Sequence, residues 1–206
     1  MNASKKGILI VLSGPAGTGK GSVVQEILKR ESDFALSVSA TTRAPRPGEV
    51  DGVHYHFLTK EAFETKIQQS EMLEHAYYCG NYYGTPKENV ENMLNKGISV
   101  ILEIEVQGAL NIRRICPDSV LILLLPPDYQ TLEARLRGRK TNTEEDIQNR
   151  LKQARTELQN FSSYDYVVIN QNQQIDRAAQ EVISIVRAEQ SRTGRNKHIP
   201  DSFFHS

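Results

Sequence analysis

Gly14-Pro15-Ala16-Gly17-Thr18-Gly19-Lys20-Gly21-Ser22 follows the apolar run Ile8-Leu9-Ile10-Val11-Leu12 and precedes Val23, Val24, Ile27 and Leu28 at helical spacing. The order is buried strand, glycine-rich loop, helix. That context separates a phosphate-binding loop from a chance match to a glycine pattern. Successive backbone N–H groups wrap an anion, and glycines let the backbone approach it closely. The helix N-terminus adds a favourable dipole, and Lys20 adds a mobile positive charge. A plain glycine-rich turn is the bland alternative, and Lys20 at the required offset argues against it. The usual loop carries Ser or Thr directly after the lysine, where the hydroxyl meets Mg²⁺. Here Gly21 stands at that position and the hydroxyl comes one later, at Ser22. The metal is then expected to be held mostly by phosphate oxygens and water, which suits Mg²⁺.

Outward from the loop, Ile98 to Ile104 reads as a second buried strand, interrupted by Glu103 and followed by Glu105. Residues two apart on a strand share a face, so both carboxylates are expected together at its C-terminal end. In an open parallel sheet ligands bind at that end. Carboxylates breaking an apolar run are costly without partners; Mg²⁺ waters, Lys20 or a ligand amine are the candidates, and a simple exit of the strand from the core is the alternative. Val120 to Leu125 and Val167 to Ile169 read as further strands. Helical spacing is carried by Val90, Met93 and Leu94, by Ala109 to Ile115, by Leu132 and Leu136, by Ile147 to Phe161, and by Ile175 to Val186.

Between Ser37 and Thr85 the pattern changes to short strands, turns and tyrosines. Phe34 to Ser39, Val53 to Leu58 and Glu71 to Tyr78 read as strands, Phe63 and Ile67 mark a short helix, and Gly80-Asn81 is a hairpin signal. This is an inserted small sheet. Its loop Ala40 to Glu49 holds two prolines, a glycine and the cations Arg43 and Arg46; it is either a solvated surface loop or a second phosphate site with bidentate donors. His54, His56 and His75 read as surface strand residues rather than metal ligands. The segment Arg135 to Thr143 is strongly basic, and Arg150 follows on the next helix. Alone it is a solvated face; opposite a triphosphate loop it becomes a set of phosphate partners. Glu189 to Ser206 has no periodicity and reads as a mobile tail.

The 206 residues carry zero formal net charge, which gives no electrostatic case for a nucleic-acid partner. Cys79 and Cys116 make neither a disulfide framework nor a metal spacing. The first apolar run is too short for a signal peptide or membrane span, so a cytoplasmic setting without a membrane partner is expected.

Five stretches together resemble the guanylate kinase family: Gly14 to Lys20, Ser37-Val38-Ser39-Ala40-Thr41-Thr42-Arg43-Ala44-Pro45-Arg46, Gly80-Asn81-Tyr82-Tyr83-Gly84, Leu102-Glu103-Ile104-Glu105-Val106-Gln107-Gly108, and Arg135 to Arg139. The resemblance implies an α/β P-loop kinase with a mainly parallel central sheet flanked by helices, an inserted small β-rich GMP-binding domain and a helical lid. The division it implies is a core (1–36, 88–129 and 156–189), a GMP-binding domain (37–87), a lid (130–155) and a mobile tail (190–206). It implies transfer of the ATP γ-phosphoryl group to GMP, and to dGMP, with Mg²⁺, in purine nucleotide metabolism and GMP recycling. The loop Gly14, Pro15, Ala16, Gly17, Thr18, Gly19, Lys20, Gly21 and Ser22, with Asn170 near the adenine, would bind ATP. Arg43, Arg46, Tyr55 and Tyr83 would hold the monophosphate; Ser39, Glu74, Thr85 and Glu105 would read guanine. Lys20, Arg43, Arg135, Arg139 and Arg150 would serve the transferring group, and Ser22 and Glu103 would approach the metal through water. The family often carries Asp where this chain has Glu105.

Two other readings stand beside this one. Guanylate kinase-like domains of scaffold proteins keep the fold and bind peptides, but Lys20, the intact loop and the lid arginines speak for an enzyme. The pair Gly21-Ser22 looks more like the adenylate kinase form of the loop, whereas Gly80 to Gly84 does not. The oligomeric state, including a homo-oligomer, stays open.

Overall fold

The computed structural model describes residues 6–78, 80–138 and 143–204. The chain begins with β1 (Leu9–Ser13), α1 (Lys20–Arg30) and β2 (Phe34–Leu36), then enters the small sheet through β3 (Ala40–Thr41), β4 (His56–Phe57), α2 (Lys60–Gln68), β5 (Met72–Tyr78) and β6 (Asn81–Pro86). It returns through α3 (Lys87–Asn95), β7 (Ser99–Glu103), α4 (Val106–Ile115) and β8 (Val120–Leu125). It continues through α5 (Tyr129–Gly138) and α6 (Glu144–Leu158), and closes with β9 (Tyr166–Ile169), α7 (Ile175–Gln190) and the short α8 (Ile199–Phe204).

The main sheet has the order β2-β7-β1-β8-β9 and is parallel throughout. Its strands are apolar runs because both faces are covered by helices. On β1 the alternation of side chains divides the core: Ile10 and Leu12 pack with α1 and α7, while Leu9 and Val11 pack with α3 and α4. Ile10, Val11 and Leu12 are fully buried, and each such side chain stabilises the fold by about 1.5–3 kcal/mol. β1 is thereby the central strand, and the glycine loop leaves its C-terminal end between β7 and β8.

The second sheet has the order β4-β3-β6-β5 and is mixed, with β3 antiparallel to β6 and parallel to β4. The expected strand at Phe34 to Ser39 is shorter than its alternation implied. Ser37 N–H still donates to Ile101 O (2.9 Å), but Ser39 O accepts from His56 N (2.8 Å), so the chain changes sheets within two residues. The expected strand at Val53 to Leu58 also contracts. His54 N–H turns back to Val50 O and Gly52 N–H to Tyr55 O, leaving only His56 and Phe57 in the ladder.

Helices α5 and α6 share a small apolar cluster of their own: Leu132, Leu136, Ile147, Leu151 and Ala154, with Ala16 of the glycine loop against it. α6 starts with a capping box, Thr143 accepting from Asp146 N–H while Asp146 accepts from Thr143 N–H. The segment after α7, expected as a mobile tail without periodicity, carries polar anchors. Asn196 is buried and its amide donates to Gln190 O (2.8 Å) and Arg192 O (2.9 Å), and Arg195 reaches Asp118 O (2.7 Å). These anchors are polar, so they left no hydrophobic period in the sequence.

Candidate active site

The loop between β1 and α1 is buried apart from the half-buried Ala16 and Gly19, and the first turn of α1 carries no acidic residue. Both features suit an anion at the helix N-terminus. Lys20 is only 8% exposed and curls over its own loop, donating to Gly14 O (2.5 Å) and Pro15 O (3.3 Å), with Glu105 Oε1 at 3.8 Å. Gly17, at φ 93°, lies under α5: a Cβ there would meet Leu136 at 3.1 Å and Leu132 at 3.4 Å. The loop tip and the α5–α6 cluster therefore pack together.

Glu103 ends β7 with Lys20, one of the partners the sequence offered, as an electrostatic neighbour. Burial raises its carboxyl above the usual range, Lys20 opposes the rise and Glu105 adds to it. The expectation that Glu103 and Glu105 share one strand face needs correction. β7 stops at Glu103, and Glu105 occupies the N-cap position of α4, its side chain 58% exposed. A Cβ on Gly21 would lie 3.5 Å from both Glu103 carboxylate oxygens. The position that elsewhere carries a hydroxyl thus puts no side chain between the helix start and the Glu103 carboxylate, an oxygen donor of the kind that suits the water shell of Mg²⁺. Ser22 is exposed on the next position of α1.

In the small sheet, Glu74 and Thr85 face each other across the β5–β6 pairing. Thr85 Oγ1 donates to Glu74 Oε1 at 2.8 Å, and both residues are buried, Glu74 to 6% exposure. Burial pushes the Glu74 carboxyl up, and the Thr85 hydroxyl offsets only part of that. Gly108 of α4 leaves room beside the other oxygen, where a Cβ would sit 3.4 Å from Glu74 Oε2. Ser39 lies at the crossing into this sheet, its carbonyl on His56.

Arg43 is held over the rings of Tyr55 (5.5 Å) and Phe57 (5.8 Å), and Tyr55 meets Tyr83 edge-on at 6.2 Å. Its guanidinium donates to Glu49 Oε1 (2.8 Å), whose Oε2 accepts from Arg46 N–H (2.7 Å). The Arg43 guanidinium and that N–H bring the Glu49 carboxyl down to about 2. Arg46 itself is exposed. Glu49 was not anticipated; its only signal was an acid three residues after Arg46.

Arg135 lies on α5 and donates to Thr18 O (3.3 Å), Asn170 O (2.9 Å) and Asn172 Oδ1 (2.9 Å). Asn170, expected near an adenine, puts its side-chain amide on Thr18 O at 2.8 Å. Arg150 is exposed on α6, and Arg139 falls outside the described residues, as does Cys79. Glu157, also unforeseen, sits on α6 with its carboxyl raised by burial and Lys20 and Glu105 among its electrostatic neighbours.

A glycine cradle on the central strand of a parallel sheet, a small sheet carrying cations and a buried carboxylate, and a helical pair packed on the cradle define a P-loop kinase of the nucleoside monophosphate type. The guanylate kinase family model matches residues 6–189. A guanylate kinase of Clostridium perfringens is 46% identical over 96% of this chain and 90% of its own, and one of Streptococcus thermophilus is 51% identical over 93% and 91%. The crystal structure of guanylate kinase from Anaplasma phagocytophilum superposes with a TM-score of 0.75 at 34% identity, covering 93% of this chain and 90% of that one. The chain belongs to the guanylate kinase family.

Proposed function

We infer that this protein transfers the γ-phosphoryl group of ATP to GMP, giving ADP and GDP. Membership of the family over nearly the whole chain supports the activity. The observation that carries the specificity is the buried Glu74 carboxylate, hydrogen-bonded to Thr85 through one oxygen and with Gly108 beside the other. Guanine offers N1–H and the exocyclic N2 amine side by side, and one carboxylate accepts from both. Adenine has an unprotonated N1 there and would leave the carboxylate unmatched, which discriminates strongly. Thr85 keeps Glu74 oriented, and Ser39 and Glu105 complete the proposed base pocket.

Arg43, Arg46, Tyr55 and Tyr83 are proposed to hold the GMP phosphate. Glu49 orients Arg43 in the absence of nucleotide and yields one donor when the phosphate arrives. That phosphate has its second pKa near about 6, so at neutral pH it is largely a dianion and needs no general base. One of its oxygens attacks Pγ of ATP; the bond from Pγ to the β–γ bridging oxygen breaks, and ADP leaves with that electron pair. Lys20 with the loop N–H groups takes the donor phosphates, and Arg135, Arg139 and Arg150 supply charge from the lid as the two anions are brought in line. Mg²⁺, when bound, neutralises donor phosphate charge; Glu103, in front of Gly21, and the Ser22 hydroxyl are proposed to hold its water shell.

The division into core, GMP-binding unit (37–87) and lid (130–155) belongs to the same proposal, as does acceptance of dGMP, since the residues named read base and phosphate. No helix among the described residues is long and apolar enough to cross a membrane. We place the reaction in the cytoplasm, returning GMP to the diphosphate pool of purine metabolism. The test is isotope transfer: γ-labelled ATP with GMP should put the label on the β-phosphate of GDP, one GDP per ADP. Label appearing only as inorganic phosphate would defeat the proposal.

A further inference from the structure

A phosphate-binding loop works only if its peptides are turned with N–H groups inward. In a trans peptide the C=O and N–H point to opposite sides. Whatever holds the carbonyl outside therefore aims the next N–H inside. In this protein the Thr18 carbonyl is held from outside by two donors: Asn170 Nδ2 at 2.8 Å and Arg135 Nη1 at 3.3 Å. No backbone carbonyl of the described residues accepts the Gly19 N–H on the other side of that peptide.

Several observations converge on Asn170. It is only 3% exposed, and Thr18 is fully buried. A carbonyl can only accept, so the amide nitrogen must face Thr18. Asn170 Oδ1 and Thr18 Oγ1 are buried without a partner among the described residues; the side chain keeps this contact although its other polar atom goes unmatched. Gly19, at φ 90°, lies directly under the amide, and a Cβ there would meet Asn170 Nδ2 at 2.6 Å. The amide thus packs on the peptide it bonds. Asn170 N–H in turn donates to Leu125 O at 2.8 Å, which fixes it to the end of β8.

We propose that Asn170 is a positioning residue of the phosphate-binding loop, whose amide turns the Thr18–Gly19 peptide so that the Gly19 N–H faces the donor phosphates. Arg135 is the second donor to the same carbonyl and comes from α5, so the position of the lid is coupled to the set of the loop. Its guanidinium is oriented by Asn172 Oδ1 at 2.9 Å. The proposal rests on the reading of this loop as the ATP site. It assigns Asn170 a role that does not depend on the base of the donor.

The test compares wild type, Asn170→Ala and the isosteric Asn170→Asp. Binding of ATP and of inorganic tripolyphosphate, each with Mg²⁺, is measured by calorimetry, together with GMP binding, circular dichroism and the amide resonance of Gly19. Asn170→Asp places an acceptor against a carbonyl and serves if the alanine variant does not fold. The expected result is a loss of about tenfold or more for ATP and tripolyphosphate in equal proportion, a shifted Gly19 resonance and an unchanged GMP affinity. A loss confined to ATP would make Asn170 a base contact and overturn the proposal. So would unchanged affinity for both ligands, or a parallel loss of GMP affinity and folded structure. Wild-type protein that binds neither ATP nor tripolyphosphate would overturn the donor-site reading itself, and the proposal with it.

Discussion

Glu74, the proposed reader of guanine, is a buried carboxylate held by Thr85. Its carboxyl is raised by burial, so the folded protein disfavours the ionised form. The folded-state value lies above the unfolded one, so the strain is absent at low pH, grows as pH rises above the unfolded value and is complete above the raised one. Glu74→Gln should therefore melt at the same temperature as wild type or higher at pH 7, with the difference vanishing in acid. The same change puts a donor amide where guanine presents N–H groups. The GMP specificity constant should fall at least about tenfold, roughly 1.4 kcal/mol of transition-state stabilisation, with the KM for ATP unchanged and discrimination against AMP narrowed. Scanning calorimetry and steady-state kinetics check the two halves; a less stable variant with normal GMP kinetics would show that Glu74 is structural. Lys20 carries a second prediction. Its charge is aimed at the loop carbonyls and Glu105, and Lys20→Met should cut turnover by at least about 10²–10³-fold, the usual scale for one preorganised donor. Far-UV circular dichroism should stay normal; near-normal turnover would refute the role.

The glycine loop was legible because it is bracketed by an apolar strand and a helical period, and because Lys20 fixes its register. Glu103 was legible as an acid inside an apolar run. The turn at Val50 to Tyr55 was not, because its residues alternate as a strand does while Gly52 bends the backbone. The clamp of Asn170 and Arg135 on Thr18 was not legible either, since it joins residues more than a hundred positions apart through one carbonyl. The proposed lid adds a prediction of its own. α6 owes its start to the Thr143–Asp146 capping box, and Thr143→Ala should loosen it by about 1 kcal/mol. Hydrogen exchange should rise in α6 first, and ATP hydrolysis without GMP should increase as the lid excludes water less well. GMP affinity measured without ATP should not change; a large change there would show that α6 supports the small sheet directly.

The glycine loop leaves the end of β1 and Glu103 ends the neighbouring β7, so both lie at the C-terminal edge of the parallel sheet. The C-terminal segment is tied to the core through Arg195 on Asp118 O and through Glu189, which accepts from Tyr166 OH at 2.7 Å and Arg195 Nε at 3.2 Å. Removing residues 191–206 should lower the melting temperature by a few degrees, on the order of 1 kcal/mol for a chain of this size, and leave turnover on GMP largely intact. A large loss of activity would place the segment at a functional contact. That guanine is read by a buried carboxylate, opposite a loop that holds the donor, is tested most directly by coupled ADP release with GMP, dGMP, AMP, UMP and CMP as acceptors. Release should occur with GMP and dGMP, with a specificity constant for GMP at least about 10²-fold above that for AMP. Release with none of the five, or with AMP as readily as GMP, would contradict it.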